Sequence, residues 1–141
     1  MSPDNRRVRV AFAGVTIADT SAAVRVLETS HPPSFYIPPA DVRAEFLVPV
    51  ERHSFCEWKG VADYWTVKID GITSVHAAWS YPKPTPRFEG IKGYVAFYVS
   101  RVQDCYVGDE RAVAQDGDFY GGWITSEIKG PFKGAPGTHS W

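Results

Sequence analysis

The chain has 141 residues, 44% hydrophobic, 14% aromatic and 22% charged. That length fits one domain of roughly 100–150 residues, and the apolar content excludes a disordered chain. Lys and Arg number 15 against 16 Asp and Glu, for a formal charge of -1, which argues against a dedicated nucleic-acid or polybasic membrane binder.

Alternation with period 2 dominates from the start. Val8, Val10 and Phe12 are apolar while Arg7 and Arg9 face the other way, the pattern of a half-buried strand. Gly14 permits a tight turn, and Val15 to Ala18 returns as a hairpin partner. Ser21 to Leu27 is again strand-like, with a short helix near Thr20 as the alternative. Four prolines between His31 and Pro39 exclude a helix and predict a stiff extended loop. Asp41 to Val48 reads as a strand, and Ser54 to Gly60 ends at a turn glycine. Trp65, Val67 and Ile69 alternate with Tyr64, Thr66 and Lys68. Asp70-Gly71 is the strongest hairpin signal, with Ile72 to Trp79 returning from it. Tyr81 to Pro86 is a second rigid loop, and Tyr94 to Val99 reads as a strand covered on both faces.

After Gly108 the periodicity fades and glycine recurs at 117, 121, 122, 130, 134 and 137. The predicted organisation is therefore a β domain over residues 1–108 and an extension over 109–141 packed on it, anchored by Trp123, Phe132 and Trp141. Many short strands with turn signals at roughly 8–12 residue spacing predict a mainly β, antiparallel, bent-sheet or barrel-like domain with little helix. No apolar run approaches the roughly 20 residues of a membrane span, and Met1 to Arg7 leads into no apolar signal core. A cytoplasmic protein is expected, with Cys56 and Cys105 as free thiols. The two cysteines form no CxxC pair, so no thiol-rich zinc site is expected.

Several residues carry possible chemistry. Glu28 shares strand parity with Val24 and Val26 and lies just before His31 and the proline loop. An inward carboxylate there is either held in an ion pair with Arg25, Arg43 or Lys59, or forms a general acid/base pair with His31. Tyr36, stiffened by Pro38 and Pro39, is either a ligand contact or a core plug with a satisfied hydroxyl. Cys56 and Lys59 flank Trp58. A thiol beside an ammonium can be a nucleophile, but no partnered base stands at fixed spacing, and Lys59 is the better candidate as a cation for an anionic group. Trp58, Tyr64, Trp65, Trp79, Tyr81 and Tyr98 are many aromatics for one small sheet. Trp65 belongs to the core by its parity with Val67 and Ile69, whereas Trp79 and Tyr98 are candidates to line a small-molecule pocket or a cation cage. His53, His76 and His139 are isolated and make weak metal ligands.

Three segments also carry a resemblance. They are Arg25-Val26-Leu27-Glu28-Thr29-Ser30-His31-Pro32-Pro33 with Ser34 to Pro39, Cys56-Glu57-Trp58-Lys59-Gly60-Val61-Ala62-Asp63-Tyr64-Trp65, and Ala77-Ala78-Trp79-Ser80-Tyr81-Pro82-Lys83-Pro84. With Gly93 to Tyr98 they resemble the family called domain of unknown function 427, over about residues 7 to 110. Gly122 to Glu127 and Gly130 to Gly134 are similar to a C-terminal extension of some members. The resemblance implies a bent sheet of the β-tent type, an architecture related to type B methionine sulfoxide reductases and the ligand-binding domain of cereblon. The zinc site of those relatives needs two cysteine pairs and does not carry over to a chain with two cysteines. The family sometimes bears a nucleotidyltransferase label. This chain supports it with neither a Gly-rich phosphate loop nor a close pair of metal-binding aspartates.

These readings converge on a β domain that binds a small molecule of unknown identity among aromatic side chains. Glu28, His31 and Lys59 are the candidate catalytic residues, and Arg25, Tyr36, Cys56, Tyr64, Trp79 and Tyr98 the candidate ligand contacts. No metal, cofactor, nucleic acid or membrane partner is expected, and a homodimer is a possible partner state. The alternatives are a cofactor-independent isomerase, lyase or hydrolase using Glu28 or His31 as general acid/base, and a structural or protein-interaction domain.

Overall fold

The computed structural model describes residues 1–27, 32–56, 59–114 and 121–126. Its strands are Ser2–Asp4 (β1), Val8–Phe12 (β2), Val15–Thr20 (β3), Ala23–Val26 (β4), Ser34–Tyr36 (β5), Leu47–Cys56 (β6), Gly60–Ile69 (β7), Ile72–Ser80 (β8), Val95–Phe97 (β9), Asp104–Val107 (β10), Glu110–Arg111 (β11), Val113–Ala114 (β12) and Trp123–Ile124 (β13). All named pairings are antiparallel, and the helices described are short 3-10 segments. The fold is mainly β, as the alternation predicts.

The strands form sheets in the orders β11-β10-β2-β3, β1-β4-β5 and β6-β7-β8-β9, with β12-β13 as a small pair. A bridge between Ile37 and Val95, closed by reciprocal backbone hydrogen bonds of 2.8 and 2.9 Å, carries the β1-β4-β5 sheet on into β9. The predicted hairpins are present. Ala13-Gly14 (φ 50 and 78) and Asp70-Gly71 (φ 47 and 81) both take two consecutive left-handed residues, the backbone that suits tight hairpins because it follows the strands' own twist.

Two predicted segments differ. Asp41 to Val48 is not a strand throughout, because 3-10 turns occupy Pro39–Asp41 and Ala44–Phe46 before β6 begins at Leu47. Proline favours that first turn, and the chain between the turns bonds sideways to β3, through the Ala18–Val42 bridge and Arg43 N–H to Ile17 O at 2.8 Å. The His31 to Pro39 segment is extended where described, but it is more than a loop: Ser34–Tyr36 pairs with β4.

Side chains divide into two buried groups. The first holds Val8, Val10, Ile17, Phe35, Val67, Ala78, Val95, Phe97, Cys105 and Trp123, with Trp65 packed at its margin. The second holds Val26, Tyr36, Ala62, Trp79, Tyr81, Ile91, Ala96 and Tyr98. On β9, Val95 and Phe97 belong to the first and Ala96 to the second, so that strand is buried on both faces as its uniform apolarity predicts. Trp123 is fully buried, donates from its indole N–H to Phe97 O at 3.1 Å and lies 5.0 Å from the Phe35 ring. Phe132 and Trp141, the other expected anchors, lie outside the described residues.

Candidate functional site

The second buried group is an aromatic layer, and a buried lysine stands beside it. Lys59 sits in the turn between β6 and β7 and is only 6% exposed. The turn is held by a close backbone approach. Gly60 has φ +107, and a Cβ there would lie 3.1 Å from Lys83 O and 3.6 Å from Pro84 Cα. Thr85 N–H donates to Lys59 O at 3.1 Å. Only glycine tolerates both that backbone and that neighbour, so the rigid Tyr81 to Pro86 loop fixes the direction in which Lys59 leaves the sheet. Its ammonium Nζ lies 5.8 Å from the Tyr81 ring centroid and 6.0 Å from that of Phe88, within reach of cation–π attraction.

The rings continue across the sheet. Tyr81 lies 6.4 Å from Tyr36, Tyr36 meets Trp79 edge-on at 6.1 Å, and Trp79 lies 4.6 Å from Tyr98. The Arg101 guanidinium stands 4.5 Å from the Tyr98 ring. Four aromatic rings therefore run from one cation to another. Trp79 Nε1 donates to Tyr36 Oη at 3.2 Å, which gives the indole a partner inside the layer. Cys56, Tyr64, Phe88 and Tyr94 pack against its edge.

A bulge shapes the margin beside Tyr64. Trp65 pairs with Ala78 and Val67 with Ser74, so Val75, His76 and Ala77 stand opposite Thr66 alone. His76 takes φ +53 there, a left-handed backbone that is uncommon for a side chain of this size. Arg101 Nη1 donates to His76 O at 2.9 Å, and the imidazole lies 6.0 Å from the Tyr64 ring. Tyr64 Oη shares a 2.7 Å hydrogen bond with Ser54 Oγ. Bulges and left-handed residues redirect side chains beside sites of function.

The structure thus brings Tyr36, Cys56, Lys59, Tyr64, Trp79 and Tyr98 to one layer. Arg25 is placed elsewhere, lining an open hollow of about 450 Å³ with Ser2 to Arg6, where hydrogen bonds from Arg6, with a smaller contribution from the Arg25 charge, lower the Asp4 pKa. Glu28, His31 and Trp58 lie outside the described residues. Phe88, Arg101 and the bulge at His76 escape a sequence reading. The bulge follows from a mismatch between two strand registers, with no glycine to mark it, and Arg101 is one basic residue among many until the backbone folds it over Tyr98. The other thiol, Cys105, is fully buried in the apolar core, and that burial pushes its pKa well up, which keeps it neutral.

An antiparallel β domain with an aromatic layer closed by a buried lysine is the class of molecule these features define. Residues 1–108 match the family described as Domain of unknown function (DUF427), and the chain belongs to that family. A search of curated proteins finds no match. Among the described residues no helix is long and apolar enough to cross a membrane.

Proposed function

We propose that the protein binds a small planar molecule carrying an anionic group on the aromatic layer, with the rings of Tyr36, Trp79 and Tyr98 as its apolar contacts and Lys59 facing its charge. One observation carries the reading: an ammonium that is 6% exposed stands at the end of a run of buried rings. A buried ammonium held beside aromatic faces offers a fixed positive charge that an anionic ligand group can meet. Aromatic walls with a few fixed polar groups are the usual lining of small-molecule sites. Residues 1–108 act as the binding domain and 109–141 as an extension on it, in a protein of the cytoplasm, where its free cysteines stay reduced. Native mass spectrometry of gently purified protein, set against the denatured mass, tests the reading. A retained anionic aromatic compound, lost in Lys59→Gln, supports it; an unliganded mass that stays unliganded after incubation with planar aromatic acids overturns it.

A second reading, favoured by the left-handed backbone of His76 beside Tyr64, makes the same layer catalytic. Glu28 or His31 is then the general base of a cofactor-independent isomerisation, elimination or hydrolysis. Glu28→Gln separates the two. Catalysis requires retained ligand affinity with turnover lost by orders of magnitude, whereas binding alone changes affinity only.

A further inference from the structure

The segment that follows the matched domain does more than anchor itself. Trp123 plugs the first buried group, and its backbone N–H donates to Pro33 O at 2.8 Å. Ala114–Trp123 and Val113–Ile124 pairing fixes the segment to the chain before it. At the far end Ser126 donates from its backbone N–H and its hydroxyl to the Glu110 carboxylate, at 2.5 and 2.7 Å. Two residues before Trp123, the chain lies against the other buried group. A Cβ on Gly121 would fall 2.7 Å from Trp79 Cζ3 and closer still to Cη2, with Cζ2 at 3.2 Å. Real Cβ atoms do not approach so near. The backbone at Gly121 therefore occupies, at contact distance, the space that a ligand stacking on the benzo edge of the Trp79 indole would need.

We infer that Gly121–Ser126 is a strap that closes the aromatic layer, and that a ligand reaches the benzo edge of Trp79 only when Gly121 moves off it. This rests on the binding reading given above. The contact is to an indole whose ring nitrogen is tied to Tyr36 and whose other neighbour, Tyr98, lies 4.6 Å away, so the ring has little freedom to yield. The strap is fastened at Trp123 and Ser126, and its Gly121 end, which lies outside those two fastenings, is the movable partner. A single methyl group at position 121 should act as a wedge between the two.

The test uses the full chain carrying Gly121→Ala, with two independent readouts. Acrylamide quenching of tryptophan fluorescence, compared with and without Trp79→Phe, isolates the exposure of that one indole. Anilinonaphthalene sulfonate, a planar aromatic with an anionic group, serves as the ligand probe, and near-ultraviolet circular dichroism checks that the fold is kept. The expected result is greater quenching of Trp79 and about tenfold tighter probe binding, with the gain removed by Lys59→Gln. Glu110→Gln, which releases the Ser126 end on the surface, should produce a smaller change of the same sign; it stands in for the wedge if Gly121→Ala fails to fold. Unchanged Trp79 quenching in a folded variant overturns the strap, whatever the probe does. Greater quenching with probe binding that ignores Lys59 leaves the strap as a cover and overturns the binding reading on which its gating role depends.

Discussion

The indole N–H of Trp79 on β8 donates to the phenol oxygen of Tyr36, 43 residues earlier in the chain, at 3.2 Å. This bond ties the proline-rich segment to the central sheet and sets the edge-on contact of the two rings. Tyr36→Phe keeps the ring and removes the acceptor, leaving a buried indole donor unsatisfied. The expected loss is about 1–3 kcal/mol of unfolding free energy, measured by urea titration, with little change in the slope.

Trp123 tests whether the segment beyond the matched domain is part of the folding unit. Trp123→Ala removes a fully buried side chain and the donor to Phe97 O. A loss of about 3–5 kcal/mol is expected, read from thermal or chemical denaturation. A loss no larger than that of an exposed residue would show that the domain folds without it.

The two cysteines should differ sharply toward a thiol reagent. Cys105 is fully buried and its thiol is held neutral by desolvation, whereas Cys56 is half-buried at the edge of the aromatic layer. One thiol is expected to titrate in the native protein and two in denaturant. The raised Cys105 pKa also fixes a sign. Its contribution to stability is whole below the unfolded thiol value of about 8.5 and falls as pH rises above it. Cys105→Ala or Cys105→Val should flatten the alkaline limb of the stability curve.

On the acid side the sign reverses. Hydrogen bonds from Arg6 hold the Asp4 carboxyl below its usual range, and those from Arg7 do the same for Asp19. Each contributes stability that is present above the ordinary carboxylate pKa of about 4 and is lost as pH falls through the lowered value. Asp4→Asn should lessen the slope of stability between neutral and strongly acid pH. Asp19→Asn should do so less, because Arg7 and Asp19 are both exposed to solvent and salt.

Two glycines with positive φ separate backbone strain from close approach. A Cβ at Gly71 (φ +81) meets nothing within 4 Å, whereas one at Gly60 (φ +107) meets Lys83 O at 3.1 Å. Gly71→Ala is expected to cost about 1–2 kcal/mol. Gly60→Ala should cost more, and it should also weaken any ligand that depends on Lys59. Equal losses in stability would show that the Lys83 loop yields freely.

The elements that the sequence made legible are those whose physics is local. Val8 to Phe12, the Asp70-Gly71 turn and its return strand declare themselves by alternation and turn chemistry, and the apolarity of Tyr94 to Val99 announces a strand covered twice, although only Val95–Phe97 is strand and Val99 already begins a 3-10 turn. Asp41 to Val48 misled because its apolar spacing suits a strand, while Pro39 and the sideways bonding of Val42 and Arg43 to β3 break it into turns. At the candidate site, the long aromatic motifs pointed to Tyr36, Lys59, Trp79 and Tyr98. Arg25 sits on the same strand as Val24 and Val26, yet its side chain lines the hollow with Asp4 and Arg6. The bulge at His76, the fold of Arg101 over Tyr98 and the seat of Gly121 on Trp79 depend on partners far away in sequence, and no local pattern encodes them.

Strand β9 is one residue thick between two dissimilar interiors. Val95 and Phe97 point into the first buried group, around Trp123 and the aliphatic side chains, and Ala96, between them, supports the rings of the second. Sliding this strand by a single position would exchange those assignments, pressing a phenyl group into the space Ala96 leaves for Trp79 and emptying the opposite side. Register at this short strand is therefore a condition for the aromatic layer to exist at all. The Ile37–Val95 bridge and the Trp123 bond to Phe97 O act on it from either end, as indexing pins that hold the strand in its one workable alignment.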